Sequence, residues 1–259
     1  MIEALEQLVS LAQAGLAAGF LVFLRVGAAM TLLPAFGENS VPQRVRLGLA
    51  LAFTIALVPL VTPDLPAIGR VSPLIGLFIA TEVIVGLTMG LMVRLFIMSL
   101  QIAGSMAAQS TSLSQIFAGA GVEPQPAIGH LLVVSGLALA AMLGLHVKIV
   151  TLFLMSYEMF PVGQFPDRSV LTDWGILRIA HAFAVAFSLA APFVIASLIY
   201  NVALGVINKA MPQLMVAFVG APAITAGGLI LLLVSAPLLL SVWVHGLERF
   251  FETPFAVPE

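Results

Sequence analysis

The sequence contains no cysteine. Disulfides, iron–sulfur clusters and thiolate metal sites are therefore excluded, while the redox compartment stays open. Charge is almost as scarce. Only 8% of the 259 residues are Asp, Glu, Lys or Arg, 61% are hydrophobic, and mean hydropathy is +1.15. A soluble domain carries about a quarter charged residues, so the chain reads as an integral membrane protein. With a net charge of -2 and no basic run, it offers phosphates no grip, and no nucleic-acid partner is expected. His130, His146, His181 and His245 are scattered, and none has the i, i+4 spacing of a helical metal pair. The sequence has no Gly-x-Ser-x-Gly elbow, phosphate-cradling glycine loop or dinucleotide fingerprint. No catalytic constellation appears, and no cofactor or metal is expected. A cleavable signal peptide is not expected either, because Glu3 and Glu6 stand where such a peptide carries positive charge.

What is present is hydrocarbon, in six runs: Leu11–Leu33, Leu47–Val61, Leu74–Leu100, Ile128–Tyr157, Ile176–Ile207 and Leu214–Leu247. About 20 apolar residues cross a bilayer core; the second run is short for this and the last two are over length. Pro192, Pro222 and Pro237 fall inside the long runs. Each removes a backbone donor and predicts a kink or break. Between Asn208 and Gly228 one lysine, two prolines and three glycines interrupt the chain. That interruption reads as the turn of a helical hairpin enclosed by protein or water, since freed backbone groups are not tolerated in lipid. Thr62-Pro-Asp-Leu-Pro66 reads as a tight turn, and Phe160–Asp173 as the solvated middle of the chain. Arg44, Arg46 and Lys209 balance Arg70, Arg168 and Arg249 on alternating sides, so charge does not set the orientation.

Polar residues cluster in two settings. Gln101–Pro126 is built from Ser, Thr, Gln, Gly and Ala and holds a single charge, Glu123. It reads either as a solvent loop or as a segment facing a narrow aqueous path, with Gln109, Ser112, Ser114 and Gln115 as neutral lining. Ile116 and Phe117 are its isolated bulky residues. In the third run, Glu82, Gly86, Gly90 and Arg94 follow at intervals of four, along one helical stripe. The glycines permit close helix approach. The two charges either reach the interfaces or are buried with partners on another helix or subunit. Arg25, deep in the first run, fits burial against a carboxylate or carbonyl better than snorkelling. Asn201 and Tyr200 are expected to hydrogen-bond across helices.

Phe23-Leu-Arg-Val-Gly-Ala-Ala-Met-Thr-Leu-Leu-Pro-Ala-Phe-Gly37, Val41-Pro-Gln-Arg-Val-Arg-Leu-Gly-Leu-Ala50 and Glu82-Val-Ile-Val-Gly-Leu-Thr-Met-Gly-Leu91 are followed by Leu204–Gly220 and Gly227-Gly228. Together these stretches resemble the FliR family, flagellar biosynthetic proteins of the type III secretion export gate, and their virulence-system (SctT-like) counterparts. They cover almost the whole chain in family order, with Val122-Glu-Pro-Gln125 departing from the more usual Asp-Pro. The resemblance implies an all-α membrane protein of kinked hairpins, with a FliP-like part at 1–175 and a FliQ-like hairpin at 176–259. It implies a non-enzymatic, structural component of the flagellar export gate in the bacterial inner membrane, at the basal body. FliP and FliQ would complete the portal, FlhB and FlhA would associate, and unfolded flagellar proteins would pass through. Gln109–Glu123 would then plug the closed pore, with Ile116 and Phe117 occluding it. Lys209 would be a contact near the narrow or cytoplasmic end, and Arg25, Glu82, Arg94 and Asn201 intersubunit or buried polar contacts. The competing reading is a secondary transporter with discontinuous helices; the chain shows no inverted repeat in its favour.

Overall fold

The computed structural model describes residues 2–38, 41–62, 75–111, 127–211 and 216–256. Among them are seven α-helices and no strand: α1 (Ile2–Met30), α2 (Gln43–Val61), α3 (Ile75–Thr111), α4 (Ala127–Met142), α5 (Leu145–Met159), α6 (Arg168–Ala210) and α7 (Val216–Glu252). Five are long and apolar enough to cross a membrane, and α4 with α5 make a sixth if they form one broken span. The expected all-α membrane protein is what the chain forms. Except for α4 and α5, its helices are longer than the corresponding apolar runs. With 43 residues, α6 extends about 65 Å at 1.5 Å per residue, roughly twice the hydrocarbon core of a bilayer.

The structure differs from the sequence reading at several places, one being that residues 101–111, read with 112–126 as a loop or pore-facing segment, continue α3 as helix. The run Ile128–Tyr157 is not one helix. It breaks at Leu143–Gly144, where Gly144 takes a left-handed conformation (φ 74°) that glycine adopts without steric cost. The segment Phe160–Asp173 is not all loop. Asp167 caps α6, its carboxylate accepting from the Ser169 amide at 2.9 Å and the Ser169 hydroxyl at 2.7 Å. The interruption at Asn208–Gly228 is shorter than its sequence suggests, because Pro222, Gly227 and Gly228 all lie within α7. Thr62 closes α2 and 63–66 lie outside the described residues.

Two compact units share the chain: Met1–Arg94 with Gly144–Ile176, and Leu95–Leu143 with Leu177–Glu259. In the first, α1 buries Ala18, Leu21, Val22, Arg25, Val26 and Ala29, a 3.6-residue stripe. α2 packs on α1 through a face carrying Ala50, Thr54, Leu57 and Val61. α3 approaches α1 at Gly86 and Gly90. A methyl on Gly86 would collide with the Arg25 carbonyl, and one on Gly90 would stand 2.5 Å from the Ala29 carbonyl. The G-x-x-x-G pair therefore works inside the chain, letting two backbones touch. The turn after α1 folds over the helix end. Gly37 sits among the carbonyls of Met30, Thr31 and Leu33, where no Cβ fits. Arg46 pins this turn by donating to the carbonyls of Gly37 (3.2 Å) and Glu38 (3.1 Å).

In the second unit, Trp243 of α7 is buried to 1% exposure, and its indole N–H donates to the Phe96 carbonyl at 2.8 Å. Gly136 of α4 lies against Leu100 and the Trp243 ring. Phe96 packs on Phe250, ring centroids 4.8 Å apart. Gly104 of α3 meets Gly129 of α4 backbone to backbone. Arg178 is also buried here, donating to the carbonyls of Pro254 (2.8 Å) and Ala256 (2.6 Å) with its guanidinium over Phe250. It thereby folds the tail after α7 onto α6. Serine and threonine hydroxyls in both units return to carbonyls of their own helices, among them Thr54, Thr88, Ser188, Ser197 and Ser235. A hydroxyl satisfied in this way can face hydrocarbon without an orphaned donor.

Candidate functional site

Arg25 and Glu82 are fully buried and are each other's partners. The stripe of α1 turns Arg25 inward, and the glycine contact at Gly86 brings α3 near enough for Glu82, one turn earlier, to meet it. The contact is bidentate: Nε donates to Oε2 at 2.8 Å and Nη2 to Oε1 at 3.0 Å. The C-terminal end of α5 completes the pocket. Nη1 donates to the Ser156 hydroxyl at 3.1 Å and Nη2 to the Phe160 carbonyl at 2.9 Å. The Tyr157 ring lies 3.8 Å from the guanidinium carbon. Two effects oppose each other here. Taking both ions out of water costs several kcal/mol per ion, and mutual attraction offsets this only when the remaining donors are satisfied. Four hydrogen bonds, a π face and the negative end of the α5 dipole supply that satisfaction.

Arg94, also on α3, is half-buried and donates to the Leu32 carbonyl at 3.4 Å, just past the end of α1. Glu82 and Arg94 thus both tie α3 to α1, on either side of the two glycines. Asn201 departs from the expectation of a cross-helix bond. Its amide donates at 2.8 Å to the Ser197 carbonyl of its own helix, one turn back and the nearest acceptor. Tyr200 does cross, its hydroxyl donating to the Gly220 carbonyl of α7 at 2.9 Å. Lys209 is exposed in the last turn of α6. Gln109 is exposed in the last turns of α3, while Ser112, Ser114, Gln115, Ile116 and Phe117 lie outside the described residues.

Sequence reasoning missed the third wall of the Arg25 pocket. Ser156, Tyr157 and Phe160 lie more than 130 positions from Arg25, and nothing local marks them. Arg178 was missed too, although a lone arginine at the head of an apolar run is the same kind of signal that singled out Arg25. Among the described residues no group of three or more His, Asp or Glu is placed to hold a metal ion.

The profile of the family "Bacterial export proteins, family 1" matches residues 16–250. The flagellar biosynthetic protein FliR of Caulobacter vibrioides is 32% identical over 225 residues, covering 86% of this chain and 90% of that protein. The chain belongs to the FliR family. FliR of Escherichia coli is 28% identical over 243 residues (90% and 89% covered), and FliR of Aquifex aeolicus is 26% identical over 234 (90% and 90%). The match takes in Arg25, Glu82, Arg94, Gln109 and Lys209 alike. Membership in the FliR family, with helices suited to crossing a bilayer, makes the chain a membrane-located component of flagellar protein export.

Proposed function

We propose that this chain is a structural, non-enzymatic subunit of the flagellar export portal in the bacterial inner membrane, at the basal body. It assembles with FliP and FliQ, associates with FlhB and FlhA, and passes unfolded flagellar proteins. Residues 1–175 act as the FliP-like part and 176–259 as the FliQ-like hairpin. Residues 109–123 plug the closed pore, Ile116 and Phe117 filling it and the neutral Ser and Gln side chains meeting water. The observation that carries this reading is the family match across residues 16–250. The composition of the 101–126 segment, polar with one charge, supports the plug assignment. Helices far longer than a bilayer is thick support a body that extends beyond the membrane.

Deleting Ser112–Gly121 tests the plug. The complex should be recovered at normal yield and the cells should become permeable to small ions; a recovered complex with unchanged ion permeability refutes it. Purification in mild detergent tests the partners. Co-elution with FliP and FliQ is expected, and a solitary or homo-oligomeric chain would favour the transporter reading instead.

A further inference from the structure

We propose that Gln101, Ser105 and Gln109 form a track on α3 along which an unfolded polypeptide in transit is held by its backbone. The inference rests on the export-portal reading and names the part of the chain that touches the substrate. The three residues line a shallow groove with Met98, Ile102 and Met106, and both glutamines are exposed. Nearby hydroxyls are used internally: Ser99, Ser110 and Thr111 bond to carbonyls of α3 itself. Gln101, Ser105 and Gln109 make no side-chain hydrogen bond among the described residues.

Hydrocarbon is a poor environment for this face, because an amide left unpaired there costs several kcal/mol. A closely packed neighbouring helix is a poor match as well. Close helix packing uses small residues, and α3 places those on its other face. Ala103, Gly104 and Ala107 are buried there, with Gly104 against Gly129. The groove instead presents long, flexible, neutral side chains. An extended polypeptide meets these terms. Steps of four residues along a helix advance about 6 Å, and an extended chain repeats its backbone groups every ~6.7 Å. Each glutamine amide can donate to a carbonyl and accept from an N–H. No charged residue lines the groove, so a substrate segment of either sign is neither trapped nor repelled. Methionines at Met98 and Met106 adapt to varied side chains.

The test is photo-crosslinking in cells that assemble the whole apparatus. A photoreactive phenylalanine derivative replaces Gln101, Ser105 or Gln109 in turn. The export path is jammed with a flagellar subunit fused to a tightly folded C-terminal domain. Adducts with that substrate are expected at all three positions, at least ten-fold above those from Ile199, an exposed apolar position on α6. Adducts with another export subunit regardless of substrate, or none above the Ile199 background, overturn the inference. A probe at Phe117 in the same cells separates the two readings: substrate adducts there but not on the track reject the track and leave the portal. Absence at Phe117 as well, with no co-purifying FliP or FliQ, rejects both. Independently, the double variant Gln101→Leu/Gln109→Leu should slow export several-fold with the complex recovered in full. Export at the wild-type rate would overturn the proposal.

Discussion

Replacing Arg25 by alanine removes four hydrogen bonds at once and leaves the Glu82 carboxylate in a pocket with no cation. Breaking a buried pair from one side costs about 3–5 kcal/mol, most of it the desolvation of the charge left behind. At roughly 1.4 kcal/mol per factor of ten, that is two to four orders of magnitude in the folded fraction. Against a total of about 5–15 kcal/mol, it is a loss the whole protein feels. Glu82→Ala should cost a similar amount, stranding the guanidinium instead. The apolar pair Arg25→Met/Glu82→Leu should recover most of this, because neither charge remains to be desolvated. Its residual cost comes from the structure. Ser156 keeps its own bond to the Phe153 carbonyl at 2.7 Å, but the charge-assisted bond from Arg25 to the Phe160 carbonyl is lost. A hydrogen bond from a charged donor is worth about 1.5–3 kcal/mol, and the apolar pair does not replace it. Thermal unfolding in mild detergent should therefore place the double variant between wild type and either single variant. A double variant no more stable than the singles would refute the desolvation argument. Either single variant unfolding at the wild-type midpoint would refute the buried pair itself. Co-purification with FliP and FliQ adds a second readout, since loss in the singles with recovery in the double assigns the pair to folding. A stable double variant that no longer co-purifies would assign it to an interface.

Two further predictions concern packing. Gly86→Ala and Gly90→Ala force a methyl into the backbone of α1 and should each lower stability by about 1–3 kcal/mol, as overpacking does. Gly15→Ala and Gly205→Ala meet nothing within 4 Å and should be neutral or raise it by about 0.5–1 kcal/mol through helix propensity; the same thermal assay checks both pairs, and equal effects would contradict the close approach. Arg178→Ala removes the Nη2 that donates to the carbonyls of both Pro254 and Ala256, so limited proteolysis should trim the tail after α7 faster than in wild type. Unchanged cleavage would show that the tail is held by other contacts.

The helical architecture was legible because long apolar runs admit few alternatives, but the interruptions were not. Gly144 sits in Leu-Gly-Leu with apolar sequence on both sides, and nothing in its neighbours separates it from Gly136, which stays helical. The break depends on backbone conformation, which composition does not report. The prolines in the last helix do not end it. Pro222 and Pro237 each cost one backbone bond, yet α7 continues through both, and Gly228 is needed for its close approach to Thr111 rather than for a turn. The Asp167-Arg-Ser169 capping signal was present in the sequence and was absorbed into the polarity of its surroundings. At the candidate site, the stripe from Glu82 to Arg94 and the isolation of Arg25 were both visible. Their pairing was not, because 57 residues separate the partners and a single sequence carries no distance information.

The distribution of satisfied and unsatisfied polar groups separates structural chemistry from exposed chemistry in a protein of this kind. In water an exposed glutamine is unremarked, since solvent completes its bonds. In a body that is 61% hydrophobic, each polar side chain must bond internally or meet water or another chain. Arg25, Glu82 and Ser156 bond internally, as do Thr88, Ser188 and Ser235 on the helix surfaces. Such groups hold the fold together and need nothing from outside. Gln101, Ser105 and Gln109 repeat a polar group on one face without using any of it internally. A single residue of that sort would be accounted for by headgroups or solvent at a helix end. Three at a constant interval of four specify a line, and a line on a membrane helix requires an environment that stays polar along its length. For a component of an export apparatus, the path of the exported chain supplies that environment.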